Sequence, residues 1–389
     1  MTEAVVNRNM GKAPWPMHVV VIGGGRWSRV LVQVLCEIVP ATTSISMHSS
    51  RGAGANNSWL IEQGLIDRVR VSSDPPELKG ESSTAVIVAN AAQDHELAVE
   101  LALLSKRPVL VEKPMALSAA AANRLIELAR AHRVRLATAH VFLFARYLHN
   151  FSKHVASSGR ILSLRIEWSD PQTESRYGER KQFDPNIPIF MDWLPHITSI
   201  LDFLLPECAQ QCEHLQFSKG GSDLTLTLKM NDVQCLVRLT RNSDQRRRLF
   251  EIDTEQGLVR LDSSTEPGTI TKNAKLMCAD PEWSNGSRPV AMMLSAFLLW
   301  AAGGQFDIRL DPVVGLRATE VTDQAAKLYN SARIRWLSEI CAIDSTCAHD
   351  LRYALNEISL CKGTLPDALK FHIVRLEQII SQMPSEGAS

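Results

Sequence analysis

Arg107-Pro-Val-Leu-Val-Glu-Lys-Pro-Met-Ala-Leu-Ser118 is the stretch on which the fold turns. Val109-Leu110-Val111 is short, aliphatic and largely β-branched, the composition of a strand covered on both faces. Pro114 has no N–H and drives Lys113 out of the helical region, so the strand must stop at Glu112-Lys113. In an open parallel sheet, ligands collect beyond the carboxyl ends of the strands, and a lysine fixed there can reach into a ligand cleft.

About 90 residues upstream, Val19-Val-Val-Ile-Gly-Gly-Gly-Arg-Trp-Ser28 runs an apolar strand into glycines and then into a helical pattern. Gly23 and Gly25 fit the first two glycines of a dinucleotide fingerprint, one for the tight turn and one for close approach of a pyrophosphate to the helix N-terminus. Ser28 stands at the third position, where Gly or Ala is usual. Arg26 and Trp27 follow the glycines and count among the cofactor-contacting candidates.

The elements around these two motifs alternate. Strands are expected at Met17–Ile22, Ser44–Met47, Val69–Val71, Ala85–Ala89, Val109–Val111 and Arg135–Ala139, and helices at Trp27–Val39, Ser58–Gly64 and His95–Ser105. Leu97, Leu101 and Leu104 share one face of the last of these. Ser118 caps an alanine-rich helix reaching about Ala131. Strand and helix in alternation mean a doubly wound parallel sheet. The pattern then changes. Leu224, Leu226 and Leu228 alternate with polar residues, as do Val233, Cys235, Val237 and Leu239, and only Asn231-Asp232 separates the two runs, a hairpin. Strands at Ile161–Trp168, Leu249–Thr254 and Leu258–Leu261 complete an antiparallel sheet in an α+β domain, with Ile197–Leu205 and Val290–Ala302 as its covering helices. Leu351, Leu355 and Ile358, then Leu369, Ile373, Leu376 and Ile380 after Thr364-Leu-Pro-Asp367, predict a C-terminal helical hairpin. The expected division is a disordered lead 1–16, a dinucleotide domain 17–140, an α+β substrate and oligomerisation domain 141–331, and a helical extension with tail 332–389.

A length of 389 residues suits two or three domains. Lys and Arg number 42 against 42 Asp and Glu, without the basic excess of a nucleic-acid binder. The compact basic run, Arg246-Arg247-Arg248, reads as a solvated strand end. The eight cysteines are scattered without Cys-x-x-Cys spacing, so no metal site is expected and the thiols read as reduced core residues. Met1–Pro16 has no apolar signal core, and Ala291–Ala302 is too short to span a bilayer. A cytoplasmic protein without membrane or nucleic-acid partners is the expectation.

The glycine turn and the Glu-Lys-Pro strand end together resemble the Gfo/Idh/MocA oxidoreductases, the glucose–fructose oxidoreductase and inositol dehydrogenase family, over residues of about 17–330. The resemblance implies a Rossmann domain followed by an open antiparallel sheet whose outer face joins subunits, hence a homo-oligomer, dimer or tetramer. It also gives a meaning to Asp192-Trp-Leu-Pro-His196-Ile-Thr-Ser199, because the family carries Asp-x-x-x-His-x-x-Asp there. Ser199 replaces the second Asp. Asp192 and His196 are four apart, hence on one helical face. By resemblance Lys113 moves the proton that accompanies hydride transfer, His196 is its partner and Asp192 positions them; a hydride reaction on an alcohol, ketone or imine needs such an acid or base. Glu112 anchors the strand end or touches cofactor. Asn90 and His95 correspond to positions bordering the nicotinamide, although the family's proline is missing between them. His95 also fits plain packing at a helix start. The link Thr138–Tyr147, with His140 and Arg146, and the loop around Tyr177 and Arg180 are the candidate substrate contacts. Phe142 and Phe144 in that link fit a less polar pocket or the core.

Cofactor choice is read after the second strand. An acidic residue there would bind the ribose 2′-hydroxyl of NAD. Ser49-Ser50-Arg51 offers hydroxyls and a guanidinium instead, which suit a 2′-phosphate, so NADP(H) is expected ahead of NAD(H), with no metal. The reading is an NADP(H)-dependent oxidoreductase acting on a sugar-like or small biosynthetic molecule. The alternative is an inactive dinucleotide-binding sensor or scaffold.

Overall fold

The computed structural model describes residues 15–78, 83–171, 187–206, 208–283 and 288–343, with the chain path alone for 175–176, 179–180 and 337–343. Its first sheet is built from β1 (His18–Ile22), β2 (Ser44–His48), β3 (Val69–Ser72), β4 (Thr84–Val88), β5 (Val109–Glu112) and β6 (Leu136–Ala139). Their order is β3-β2-β1-β4-β5-β6, with every pairing parallel. The order reverses between β1 and β4, which opens the crevice where such sheets bind ligands. Val109, Leu110 and Val111 are buried, as strands covered on both faces must be.

The helices of this half are α1 (Arg26–Ile38), α2 (Ala53–Glu62), α3 (His95–Leu104) and α4 (Ala119–His132). Ser118 caps α4 by accepting the Ala121 N–H at 3.2 Å. Helix α2 begins five residues before the expected Ser58, because Gly52 and Ser49 turn the chain directly out of β2. In α3 the face shared by Leu97, Leu101 and Leu104 is the outer one. Leu97, Leu101 and Leu104 are 74%, 42% and 53% exposed, while Ala98, Val99, Ala102 and Leu103 face the sheet. The small alanines let the helix lie close to β5 and α4, so the leucine stripe turns outward.

After the Val141–Phe144 turn and α5 (Arg146–Ala156) comes β7 (Ile161–Pro171). A two-rung ladder joins β8 (Ser175–Arg176) to β9 (Glu179–Arg180) within the stretch read as a loop. Helix α6 (Ile189–Leu204) follows, then β10 (Gln210–Ser218), β11 (Asp223–Met230), β12 (Val233–Ser243), β13 (Arg247–Thr254), β14 (Gly257–Asp262), β15 (Thr269–Lys272) and β16 (Lys275–Met277). The second sheet is ordered β10-β11-β12-β7-β13-β14-β15-β16. It is mixed rather than wholly antiparallel, because β12 runs parallel to β7 while β13 runs antiparallel to it. The earliest strand, β7, lies inside the sheet, and the β10–β11–β12 meander joins it on one side. The expected hairpin is present, with Met230 paired to Val233 and Asn231 at φ +54°.

Helices α7 (Pro289–Ala301) and α8 (Pro312–Ile343) close the described chain. Helix α6 packs on β12 as expected of a sheet cover. Helix α7 does not: it packs on α1 and the Val141–Phe144 turn, returning to the first domain, and α8 takes its place against β10 and α6. Helix α8 also reaches α4 and β6. Gly315 permits this, since a Cβ there would lie 2.5 Å from Thr138 Oγ1. The boundary placed after residue 331 falls inside α8. The lead up to residue 14 and the hairpin expected over 351–380 lie outside the described residues. One apolar core runs from β1, β2 and α1 through Tyr147 and Phe151 to the second sheet, and a separate one fills the face covered by α3 and α4. No helix among the described residues is long and apolar enough to cross a membrane.

Candidate active site

Gly23 has φ +143°, and a Cβ on it would lie 2.5 Å from the Ala89 carbonyl oxygen, so the turn after β1 requires glycine. A Cβ on Gly24 would collide with Ser49. Gly25 differs: it is the N-cap of α1, and nothing lies within 4 Å of where its Cβ would be. No side chain caps α1, and its first turn holds no acidic residue. An uncapped helix N-terminus facing open space fits an anionic pyrophosphate. Ser28 is fully buried and donates to the Ala89 carbonyl at 3.0 Å, so it ties α1 to the end of β4 rather than facing a ligand. Arg26 is half-buried at the start of α1.

Ser49 Oγ accepts the Gly52 N–H at 3.1 Å, and Ser50 and Arg51 are exposed beyond it. These three and Gly24 therefore share the end of β2. Asn90 follows β4, with its Oδ1 buried and without a partner. His95 is buried, with Nδ1 at 2.8 Å from the Pro114 carbonyl and Nε2 at 3.2 Å from the Asn90 carbonyl. It thus joins the ends of β4 and β5, the packing role its position also allowed. Trp27 Nε1 donates to Glu112 Oε1 at 2.7 Å, linking the glycine turn to the end of β5. Burial pushes the Glu112 carboxyl up to about 7, against the opposing pull of Trp27 and Lys113.

Lys113 reaches out of β5 into α6. Its Nζ donates to Asp192 Oδ1 at 2.8 Å and to the Asp192 carbonyl at 2.7 Å. That carbonyl lies in the first turn of α6, three residues before the in-helix Pro195. Burial alone would raise the Asp192 pKa, but Lys113, Arg241 and His196 outweigh it and hold the carboxyl below the usual carboxylate range. His196 is on the same face. Burial first, then Lys113, hold it well below the ordinary histidine range, and its Nδ1 has no partner. Its ring lies nearly parallel to Trp168, 6.0 Å between centroids, and Phe142 meets it edge-on at 5.1 Å. Ser199 is buried and donates to the His196 carbonyl at 2.8 Å. Asp202 lies away from this group and pairs with Arg317 of α8 at 2.9 Å.

His140 lies at the end of β6, 1% exposed, with both ring nitrogens unpartnered. Burial, then Lys113, pull its pKa down to about 3. The structure does not bring the other substrate candidates of this link together with it. Arg146 pairs with Glu282 at 2.6 Å, and Tyr147 donates to Glu266 at 3.0 Å inside the core. Phe144 is core and carries the Arg309 guanidinium at 4.2 Å, whereas Phe142 belongs to the His196 group. Tyr177 and the Arg180 side chain lie outside the described residues.

Charged residues missed in the sequence gather under α6. Arg241, Arg248 and Asp170 stand at one end of adjacent strands β12, β13 and β7. Arg248, read as part of a solvated run, is 3% exposed. It donates to Asp170 Oδ1 at 2.5 Å and lies 4.3 Å over Trp168. Arg241 lies 3.5 Å from Asp192 Oδ2, donates to the Ile187 carbonyl at 3.0 Å and stands 5.8 Å over Trp193. The available signal was parity. Arg241 continues the inward series Cys235, Val237, Leu239; Asp170 continues Leu164, Ile166, Trp168. Among the described residues no group of three His, Cys, Asp or Glu side chains is arranged to hold a metal ion.

The topology and the open helix N-terminus define a dinucleotide-binding α/β fold with a cleft at its carboxyl edge. Residues 17–140 match the model of the Gfo/Idh/MocA oxidoreductase family, described as an oxidoreductase family with an NAD-binding Rossmann fold. An inositol 2-dehydrogenase of Acidothermus cellulolyticus is 42% identical over 64 residues, 16% of this chain and 19% of that protein. The chain thus matches about a fifth of the length of that curated relative. Among solved structures, a UDP-N-acetylglucosamine 3-dehydrogenase from Acidithiobacillus ferrooxidans superposes with a TM-score of 0.65 at 18% identity, covering 82% of this chain and 99% of the other. A 3-ketoreductase from Actinomadura kijaniata, in complex with TDP-benzene and NADP, gives 0.64 at 18% identity over 79% and 96%. An oxidoreductase from Agrobacterium radiobacter, in complex with NAD+, L-tartaric acid and magnesium, gives 0.63 at 17% over 81% and 97%. At such identities the likeness is one of fold, and it extends through both sheets.

Proposed function

We propose that the chain is an NADP(H)-dependent oxidoreductase that interconverts a secondary alcohol and a ketone, or reduces an imine, on a sugar-like or small biosynthetic molecule. The observation that carries the reading is the meeting of Lys113 with Asp192, beside half-buried His196, beyond the carboxyl end of β5. The cofactor, when bound, exchanges hydride with the substrate carbon. Gly25 and the N-terminus of α1 hold its pyrophosphate, and Asn90 offers a buried carbonyl oxygen on the side of the reacting ring. Asp192 stays ionised and orients the Lys113 ammonium. Lys113 then gives its proton to the substrate oxygen or nitrogen in reduction, and takes it back in oxidation. His196, kept neutral, hydrogen-bonds the same heteroatom.

The lack of a carboxylate after β2 and the exposed Arg51 favour a 2′-phosphate. Phe142 against His196 gives the pocket an apolar wall, which suits a substrate with a hydrophobic edge beside the reacting carbon. A homo-oligomer is proposed with it. The test is a fluorescence titration with NADPH and NADH, followed by a ketone, imine and alcohol screen. Tighter NADPH binding with turnover that Lys113→Ala removes supports the reading. Binding without turnover favours the sensor or scaffold reading.

A further inference from the structure

We infer that Arg241 is a positioning residue for the proposed proton donor, acting through Asp192. It clamps the carboxylate to the start of α6, so that one oxygen stays on Lys113 throughout the proton transfer. The inference rests on the role proposed for Lys113.

Asp192 presents its two oxygens to two cations from different sheets. Oδ1 faces Lys113 Nζ at 2.8 Å, and Oδ2 faces Arg241 Nη2 at 3.5 Å. The other arm of the guanidinium, Nη1, donates to the Ile187 carbonyl at 3.0 Å, just before the N-cap Pro188. Arg241 thus touches both the acidic side chain and the backbone entering its helix. Its side chain is 10% exposed, and Trp193 lies beneath it at 5.8 Å. Its aim comes from the strand. The register of β12 against β7 shifts between Thr240 and Ser243, and the Arg241 N–H bonds the Ser222 carbonyl at 2.8 Å. Burying a guanidinium is costly, so a charge-assisted role has to offset it.

The chemical consequence concerns the moment when Lys113 has passed its proton to the substrate heteroatom. Lys113 is then a neutral amine, and Asp192 has lost its nearer cation. Arg241 still faces Oδ2, so the carboxylate remains an anion and does not swing away or take up the proton. The groups around Asp192 are Lys113 of β5, His196 of α6 and Arg241 of β12. Next to these stand His140 after β6, Asp170 of β7, Arg248 of β13 and Tyr329 of α8.

The test uses the full chain and a cycle of Arg241→Gln, Asp192→Asn and the double variant, with Arg241→Lys beside them. Arg241→Gln is expected to lower kcat about 10- to 100-fold while NADPH binding stays unchanged. The same change made on Asp192→Asn is expected to cost almost nothing further. The acid limb of the pH–rate profile should move to higher pH in Arg241→Gln, because the carboxylate loses a cation that holds it ionised. Arg241→Lys should keep that limb in place and recover only part of kcat, since an ammonium cannot serve both points. Equal losses in the native and Asp192→Asn backgrounds, or an unmoved acid limb, overturn the inference. If the wild type turns over no alcohol, ketone or imine, the functional reading fails by itself. The clamp is then judged on Tm: a loss of about 2–4 °C confined to the native Asp192 background supports it, and a loss independent of Asp192 overturns it.

Discussion

The ammonium of Lys113 and the carboxylate of Asp192, 79 residues apart in the chain, meet at 2.8 Å across the line between the two sheets. Lys113 is placed by the end of a strand and Asp192 by the first turns of a helix, so both backbones are rigid where they meet. Replacing Lys113 by Met keeps the aliphatic stem and removes the proposed proton donor. Steady-state assays should show kcat lower by about 10²–10⁴-fold. Fluorescence titration should show NADPH binding within a few-fold of wild type. A Lys113→Met variant of normal kcat would remove Lys113 from the chemistry.

Glu112, one residue earlier, should make stability depend on pH in a particular direction. Its carboxyl lies at about 7 in the folded protein, against 4.5 when unperturbed. Between those values the folded state binds the extra proton, so its contribution is full below about pH 4.5 and lost as pH rises through 7. Urea unfolding should show the stability of wild type relative to Glu112→Gln greater at pH 4.5 than at pH 8, the contribution of His140 being common to both proteins. The difference is at most roughly 3 kcal/mol, an upper bound because Glu112 keeps some contact with solvent.

His140 works with the opposite sign. It stays neutral in the folded protein down to about pH 3, while an ordinary histidine takes a proton near 6.5. The unfolded state therefore binds more protons in that window, and stability falls as pH drops through it. His140→Leu should flatten the fall, by something on the order of 2–4 kcal/mol between pH 7 and pH 4. Parallel unfolding curves for the two proteins over that range would contradict it.

Two glycines of one turn should fail in different ways. Gly23→Ala meets the Ala89 carbonyl at 2.5 Å on a backbone of φ +143°, so Tm should drop, at a cost of about 1–3 kcal/mol. Gly25→Ala meets nothing in the protein and has an ordinary φ of −78°. Its Tm should be unchanged, with NADPH bound about 10–100-fold more weakly because the methyl occupies the pyrophosphate's approach.

Arg51 should decide between the nicotinamides. Arg51→Asp exchanges a fork for a 2′-phosphate for an acceptor for a 2′-hydroxyl. The Kd ratio of NADPH to NADH should move toward NADH by about 10-fold or more. An unchanged ratio would place the adenosine ribose elsewhere.

The parts of this protein that were legible in its sequence are those with a local cause. A strand ended by Pro114, a turn that only Gly23 can make and a hairpin through Asn231 are settled within a few residues. The shared face of Leu97, Leu101 and Leu104 was legible, but periodicity reports a face and not which way it points. The more compact alanine face won the sheet. Arg241 and Arg248 were hidden for a different reason. A basic residue near a strand end reads as solvated, and only the course of three neighbouring strands brings them under α6. The parity of Val237 and Leu239 was the one clue. The position of α7 was equally non-local, since its apolar face fits either sheet and connectivity chooses.

Helix α8 bears on how the molecule could be taken apart. Its early turns lie against Thr138, and Asp323 accepts the Ala119 N–H that opens α4 at 2.8 Å. Two turns later Tyr329 packs on Phe217 of the second sheet. The chain thus finishes its second half by going back to fasten the first. A gene cut after residue 140 would yield an N-terminal piece that lacks one of its own walls, and grafting that piece onto another second domain would succeed only if α8 travelled with it.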